Sequence, residues 1–120
     1  MKFVVVLSAV LALAFAENYK SNIDNLDIEA VVTNPEKLKG VTQCFLDNGE
    51  CSDVIGAIKK VLPEATEQAC AKCTDPQKHM LKRYLTELSK TYPEDFEALK
   101  KKYDPENKYV DALRAALANA

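Results

Sequence analysis

The chain has 120 residues, 16 basic and 18 acidic side chains, a formal net charge of −2, four cysteines, three glycines and no tryptophan. That length suits one domain. Mild acidity excludes a general nucleic-acid binder, which needs a basic face, and argues against an anionic membrane surface as the main partner.

The first sixteen residues read as a signal peptide. Lys2 is a short positive region, Phe3 to Phe15 is an almost unbroken apolar run, and Ala14-Phe15-Ala16 supplies a small-x-small cleavage pattern. The run is shorter than the ~20 residues that cross a bilayer, and a polar, charged stretch follows it, so stable membrane insertion is not expected. A mature domain of residues 17–120 is expected to be secreted.

In chain order, Asp24 to Val32 is predicted as a short first helix with Leu26, Ile28, Val31 and Val32 apolar. Asn34-Pro35 supplies a cap and a proline at the first helical position. Leu38, Val41 and Phe45 then fall on one face, and Asn48-Gly49 is expected to end that helix through a residue tolerant of positive φ. Ser52-Asp53 opens the next helix, striped by Val54, Ile55, Ile58, Val61 and Leu62; Pro63 either kinks it or starts another. After Cys70, Thr74-Asp75-Pro76 restarts the chain into the longest helix, marked by Leu81, Tyr84, Leu85, Leu88 and Tyr92.

Pro93-Glu94-Asp95 begins a shorter helix carrying Phe96, Leu99 and Tyr103. It is acidic at its start and ends in Lys100-Lys101-Lys102, as the helix dipole favours. Asp104-Pro105 breaks it, and Tyr109, Val110, Leu113 and Leu117 define the last. The class is all-α, about six short helices.

The cysteines are spaced Cys44-x6-Cys51-x18-Cys70-x2-Cys73. Four cysteines permit three pairings, which sequence alone does not decide. Short loops favour neighbours, Cys44 with Cys51 and Cys70 with Cys73. Such small loops remove little chain entropy; they pin helix junctions and leave distant helices free to adjust. A zinc site would need a second close cysteine pair, and a redox Cys-x-x-Cys would need a βαβ setting. Neither pattern is present, so no metal or cofactor is expected.

Several further residues fit the same pattern. Asp24-Asn25-Leu26-Asp27-Ile28, Leu46-Asp47 with Gly49 before Cys51, Lys59-Lys60, Leu62-Pro63 with Ala65, Cys73-Thr74 with Gln77-Lys78, and Lys102-Tyr103-Asp104-Pro105 with Lys108-Tyr109 all join the cysteine spacing. Together they resemble the insect chemosensory proteins, the OS-D-like family, from about Ile23 to Tyr109. The resemblance implies a compact bundle of about six helices around a hydrophobic channel, with neighbour disulfides. It also implies reversible carriage of semiochemicals, fatty acids, long-chain alcohols or esters. The family often has tyrosine at the positions of Ile23 and Val41 and tryptophan at that of Phe96, all associated with the channel. Their replacement leaves the expected pocket without a tyrosine hydroxyl at its mouth and suited to plain hydrocarbon.

The expected lining is Ile28, Val31, Val41, Phe45, Ile58, Leu62, Leu81, Tyr84, Leu85, Leu88, Phe96 and Leu99, with Met80 as a nearby gap-filler. The hydroxyls of Tyr84, Tyr92 and Tyr103 are expected to reach water. A lone histidine, His79, no Gly-x-Ser-x-Gly and no Gly-rich calcium loop argue against a small secreted lipase, and no catalytic residue is assigned. A small hydrophobic ligand is the expected partner of a monomer. The alternative is an extracellular interaction or developmental factor that binds a receptor or other protein, with the Ala-rich last helix docking on that partner or closing the channel.

If the pocket prefers plain hydrocarbon, a fatty alcohol and the alkane of equal length should compete with similar strength for an apolar probe. A large advantage for the alcohol would contradict that expectation.

Overall fold

The computed structural model describes residues 18–120, so the leader assignment to residues 1–16 lies outside the described residues. A 3₁₀ turn, Ser21–Asn25, precedes six α-helices: α1 Ile28–Val32, α2 Pro35–Phe45, α3 Asp53–Glu67, α4 Asp75–Thr91, α5 Pro93–Tyr103 and α6 Val110–Leu117. No strand occurs among the described residues.

Local capping chemistry sets most of these boundaries. Asn34 Oδ1 accepts from the N–H groups of Glu36 and Lys37 at 3.0 and 3.3 Å, and Ser52 Oγ accepts from Ile55 N–H at 3.2 Å. Thr74 and Gln77 form a reciprocal capping box: Thr74 Oγ1 accepts from Gln77 N–H and Gln77 Oε1 from Thr74 N–H. The buried Asp104 carboxylate accepts from the N–H groups of Lys108, Tyr109 and Val110 at 2.7–3.0 Å and so starts α6. Burial alone would raise its pKa, but these three backbone donors hold it below the ordinary range.

Three boundaries differ from the sequence reading or decide what it left open. The predicted helix over 24–32 is two pieces, because Leu26 is extended and the Asp27 carboxylate caps a fresh start by accepting from Ala30 N–H. Of the two readings of Pro63, a new helix start fails: Pro63 lies within one continuous helix, on its exposed face.

The third difference concerns the end of α2, where Asp47 and not Gly49 takes the left-handed conformation, at φ 64°. Asn48 N–H donates to Gln43 C=O and Asp47 N–H to Cys44 C=O, the paired bonds of a Schellman ending. Gly49 serves close approach instead, since a Cβ there would lie 3.0 Å from Gln43 Cβ. The end of α3 repeats the same device. Ala69 and Cys70 are left-handed, with Cys70 N–H donating to Ala65 C=O.

Each of these turns is followed by a disulfide, Cys44–Cys51 or Cys70–Cys73, with Cα atoms 5.2 and 5.0 Å apart. Neighbour pairing is therefore the one present, and neither cysteine pair is left as thiolates for zinc.

The main core gathers Ile23 from the 3₁₀ turn, Ile28, Val31 and Val32 of α1, Leu38 and Phe45 of α2, Ile55 and Leu62 of α3, Tyr84 and Leu88 of α4 and Leu99 of α5. A smaller cluster of Ala65, Cys70, Leu113 and Leu117 docks α6, and Tyr19, Leu81 and Leu85 pack against both. Ion pairs tie the outside. Arg83 on α4 holds Glu29 on α1 in a bidentate pair at 2.7 and 2.9 Å, and Lys39 on α2 meets Asp95 on α5 at 2.6 Å.

Asp47 pairs with both Lys59 of α3 and Lys102 of α5, and these two cations hold its pKa at about 2, below the usual 3.8. A depressed carboxylate stabilises the fold above its ordinary pKa and loses that contribution as pH falls through its folded value. Asp47→Asn keeps a residue that tolerates left-handed backbone and removes the charge. Its thermal midpoint should lie below that of the parent at neutral pH and should converge with it between pH 4 and 2. Melting curves that stay parallel across that range would contradict the assignment.

Candidate binding cavity

The helices leave two neighbouring spaces of different character. The inner cavity, about 70 Å³, lies where the 3₁₀ turn, α1, α2, α3 and α4 meet. Its wall holds Ile23 and Leu26, Ile28 and Val31, Val41 and Phe45, the α3 residues Ile55, Ile58, Val61, Leu62 and Ala65, and Met80, Leu81 and Tyr84 of α4. Tyr19, Cys70, Cys73 and Gln77 complete it. The outer cleft, about 340 Å³, lies between α4, α5 and α6. Its floor is Leu81, Leu85, Phe96, Leu99, Val110, Leu113 and Leu117, and its polar rim includes Lys82, Lys100, Asp104 and Arg114.

Eight of the twelve residues expected to line a channel border the inner cavity: Ile28, Val31, Val41, Phe45, Ile58, Leu62, Leu81 and Tyr84. Leu85, Phe96 and Leu99 border the outer cleft. Leu62 and Leu81 border both, so they form the partition between the two spaces. Leu88 borders neither; it is fully buried and fills the core. Of the three aromatic-to-simpler departures, Ile23 and Val41 face the inner cavity and Phe96 the outer cleft.

Of the three tyrosine hydroxyls expected to reach water, that of Tyr84 corrects the sequence reading. Tyr92 donates to Pro35 C=O at 3.1 Å at an exposed position and Tyr103 to Phe45 C=O at 2.9 Å at a half-buried one. Tyr84 is buried, its ring edge-on to Phe45 at 5.6 Å, and its hydroxyl lies 2.6 Å from Thr42 Oγ1. Thr42 commits its own proton to Leu38 C=O at 2.9 Å, so Tyr84 is the donor in that pair. Burial pushes the Tyr84 hydroxyl well above the usual tyrosine range and keeps it a proton donor.

Two polar groups at the inner cavity had no periodic signal in the sequence. Tyr19 precedes every helix, yet its ring forms part of the wall and its hydroxyl donates to Glu64 Oε1 at 2.9 Å. Burial and the Glu64 carboxylate together raise its pKa. Gln77 is buried: its Nε2 donates to Lys20 C=O at 3.1 Å and Asp24 Oδ1 at 2.8 Å, while its Oε1 serves the α4 cap. This one amide fastens the N-terminal strap to α4. The Thr-x-x-Gln pattern was the available signal for its capping role, but not for its contact with residues nearly sixty positions away.

Chemically, the inner cavity can do little except exclude water. No group of three or more metal-ligating side chains occurs among the described residues, and His79 is exposed.

Residues 19–111 match the family model described as insect pheromone-binding family, A10/OS-D. The chain is 36% identical over 101 residues to allergen Tha p 1 of Thaumetopoea pityocampa, covering 84% of this chain and 80% of that protein. It is 31% identical over 111 residues to ejaculatory bulb-specific protein 3 of Drosophila melanogaster, covering 92% and 87%. Among solved structures it is similar to a chemosensory protein in complex with bromo-dodecanol, with TM-score 0.74 and 27% identity over 86% of this chain and 100% of that one. It is also similar to antennal chemosensory protein A6 from Mamestra brassicae, with TM-score 0.60 and 31% identity over 77% and 96%.

Thr42→Val strands the buried Tyr84 hydroxyl and should cost about 1–3 kcal/mol in chemical denaturation. Tyr84→Phe added to it should restore most of that loss, since removing both partners leaves nothing unsatisfied. A double variant as unstable as the sum of the singles would contradict the pairing.

Proposed function

The chain belongs to the insect pheromone-binding family A10/OS-D, and from that premise we propose that it is a secreted carrier that reversibly binds small hydrophobic molecules such as semiochemicals, fatty acids, long-chain alcohols or esters. The observation that carries this reading is the pair of apolar spaces that share Leu62 and Leu81 as lining residues. The twelve residues expected to hold the ligand fall around these spaces with the exception of Leu88.

The volumes say how a ligand would fit. A typical small-molecule site measures about 300–1,000 Å³. The inner cavity alone is too small for a long chain; the outer cleft lies at the low end of that range, and joining the two past the leucine partition would extend it. For a chain to enter the inner cavity from the cleft, Leu62 and Leu81 must swing aside. Leu81 is half-buried, which leaves it room to do so. A chain of about a dozen methylenes gains roughly 10 kcal/mol gross from burial. Lost freedom of ligand and side chains offsets several kcal/mol of that, so micromolar affinity and loose specificity follow. The bromo-dodecanol bound by a structural relative is a molecule of this kind.

Organic extraction of the natively purified protein, followed by mass spectrometry, should recover a lipid or volatile. N-phenyl-1-naphthylamine should bind and be displaced by hexadecanol; no recovered compound together with no displacement would favour a protein partner instead. Leu81→Ala opens the partition, so hexadecanol should associate faster with that variant while hexanol should not. The variant should lose about 1–2 kcal/mol of stability through its smaller packed volume. Unchanged hexadecanol kinetics would mean that the leucines do not obstruct the path.

A further inference from the structure

The two spaces differ in charge as much as in size. The inner cavity is walled almost wholly by carbon, with the Tyr19 hydroxyl already committed to Glu64. The outer cleft carries three cations at its rim, Lys82, Lys100 and Arg114, against one carboxylate, Asp104. Asp104 is buried and spends its oxygens on three backbone N–H groups. Lys82 is occupied as well, donating to the carbonyls of Ala118 and Ala120 at 2.8 and 3.4 Å.

That leaves Lys100 of α5 and Arg114 of α6, both bordering the same cleft. Lys100 lies 5.7 Å from the Phe96 ring centre, pairs with the exposed Glu97 of its own helix at 3.7 Å and acts through space on the buried Asp104 carboxylate, which is already satisfied by backbone donors. Arg114 makes no salt bridge with any described residue. An apolar floor bounded by two lightly engaged cations matches an amphiphile with an apolar tail and an anionic head.

We propose that the outer cleft is a head-group site for a long-chain carboxylate, with Lys100 and Arg114 as its specificity-determining residues and the tail directed over the leucine partition. This deepens the carrier reading and rests on it. The inner cavity accepts any tail; the cleft discriminates among heads by charge.

The test compares hexadecanoate with hexadecanol as competitors for bound N-phenyl-1-naphthylamine at neutral pH, in parent protein and in Lys100→Gln/Arg114→Gln. Both substitutions lie at exposed or half-exposed positions. In the parent at low salt the carboxylate should compete at about fivefold lower concentration than the alcohol, the effect of one exposed ion pair. High salt should erase that advantage, and so should the double variant, with hexadecanol unaffected. Lys100→Arg/Arg114→Lys, which keeps both charges, should retain it. Equal competition by the two ligands in the parent, or an advantage that survives the Gln variant, would overturn the head-group site and leave the carrier reading intact. Competition by neither would overturn both.

Discussion

The structure depends on how two helices are made to stop. α2 and α3 each end in a left-handed turn closed by a long backbone bond, and each turn leads within a few residues into a disulfide. Cysteines seven and three positions apart constrain little of the unfolded chain, so these bridges act mainly on local direction. They fix where α3 and α4 set out. They do not bind α4, α5 and α6 to one another, and the packing among those helices rests on aliphatic side chains, with Lys82 of α4 donating to the carbonyls of Ala118 and Ala120 beyond α6. The frame is covalent at the corners and greasy along the faces. Apolar contact has no preferred direction, so such faces can part slightly and close again without leaving polar groups unpaired.

That division explains where polar bonds occur. Thr42 with Tyr84, Tyr103 with Phe45 C=O, and Gln77 with the N-terminal strap all cross between elements in or beside the core. Each locks one pair of segments in one register. The zone around Leu62, Leu81 and Leu85, where the two spaces adjoin, has no such lock among its side chains. Rigidity and adaptability are thus spatially separated within a small domain, with hydrogen bonds specifying the first and leucines permitting the second.

Most of the fold was legible because helix starts are local chemistry. Asn34-Pro35, Ser52 and Thr74 announce their helices by the side-chain oxygens they bring to unsatisfied N–H groups, whereas Asp104 reads as a break and its three bonds to the start of α6 carry no signal in the sequence. Where apolar spacing runs through a cap it misleads: the pattern from Leu26 to Val32 reads as one helix, and Asp27, accepting from Ala30 N–H, divides it. Glycine was credited with a left-handed turn that an aspartate performs, because Asp47 gains two lysine partners in that conformation. For the site, periodicity identified inward faces but could not distinguish Leu88, which is solid core, from Leu85, which borders open space. Nor could it separate one channel from two compartments, a distinction set by how a leucine from α3 meets one from α4. Tyr19 escaped altogether, since a wall residue ahead of every helix leaves no repeat to read.

The Cys70–Cys73 loop is more than a staple. Both residues belong to the inner wall, and the intervening Lys72 supplies the carbonyl that accepts Tyr19 N–H at 3.0 Å. Reducing agents in a purification buffer would therefore do more than cut a small ring. They would loosen the strap that Tyr19 leads and the floor beneath it together, so preparations made with and without thiols are, for this molecule, preparations of two different containers.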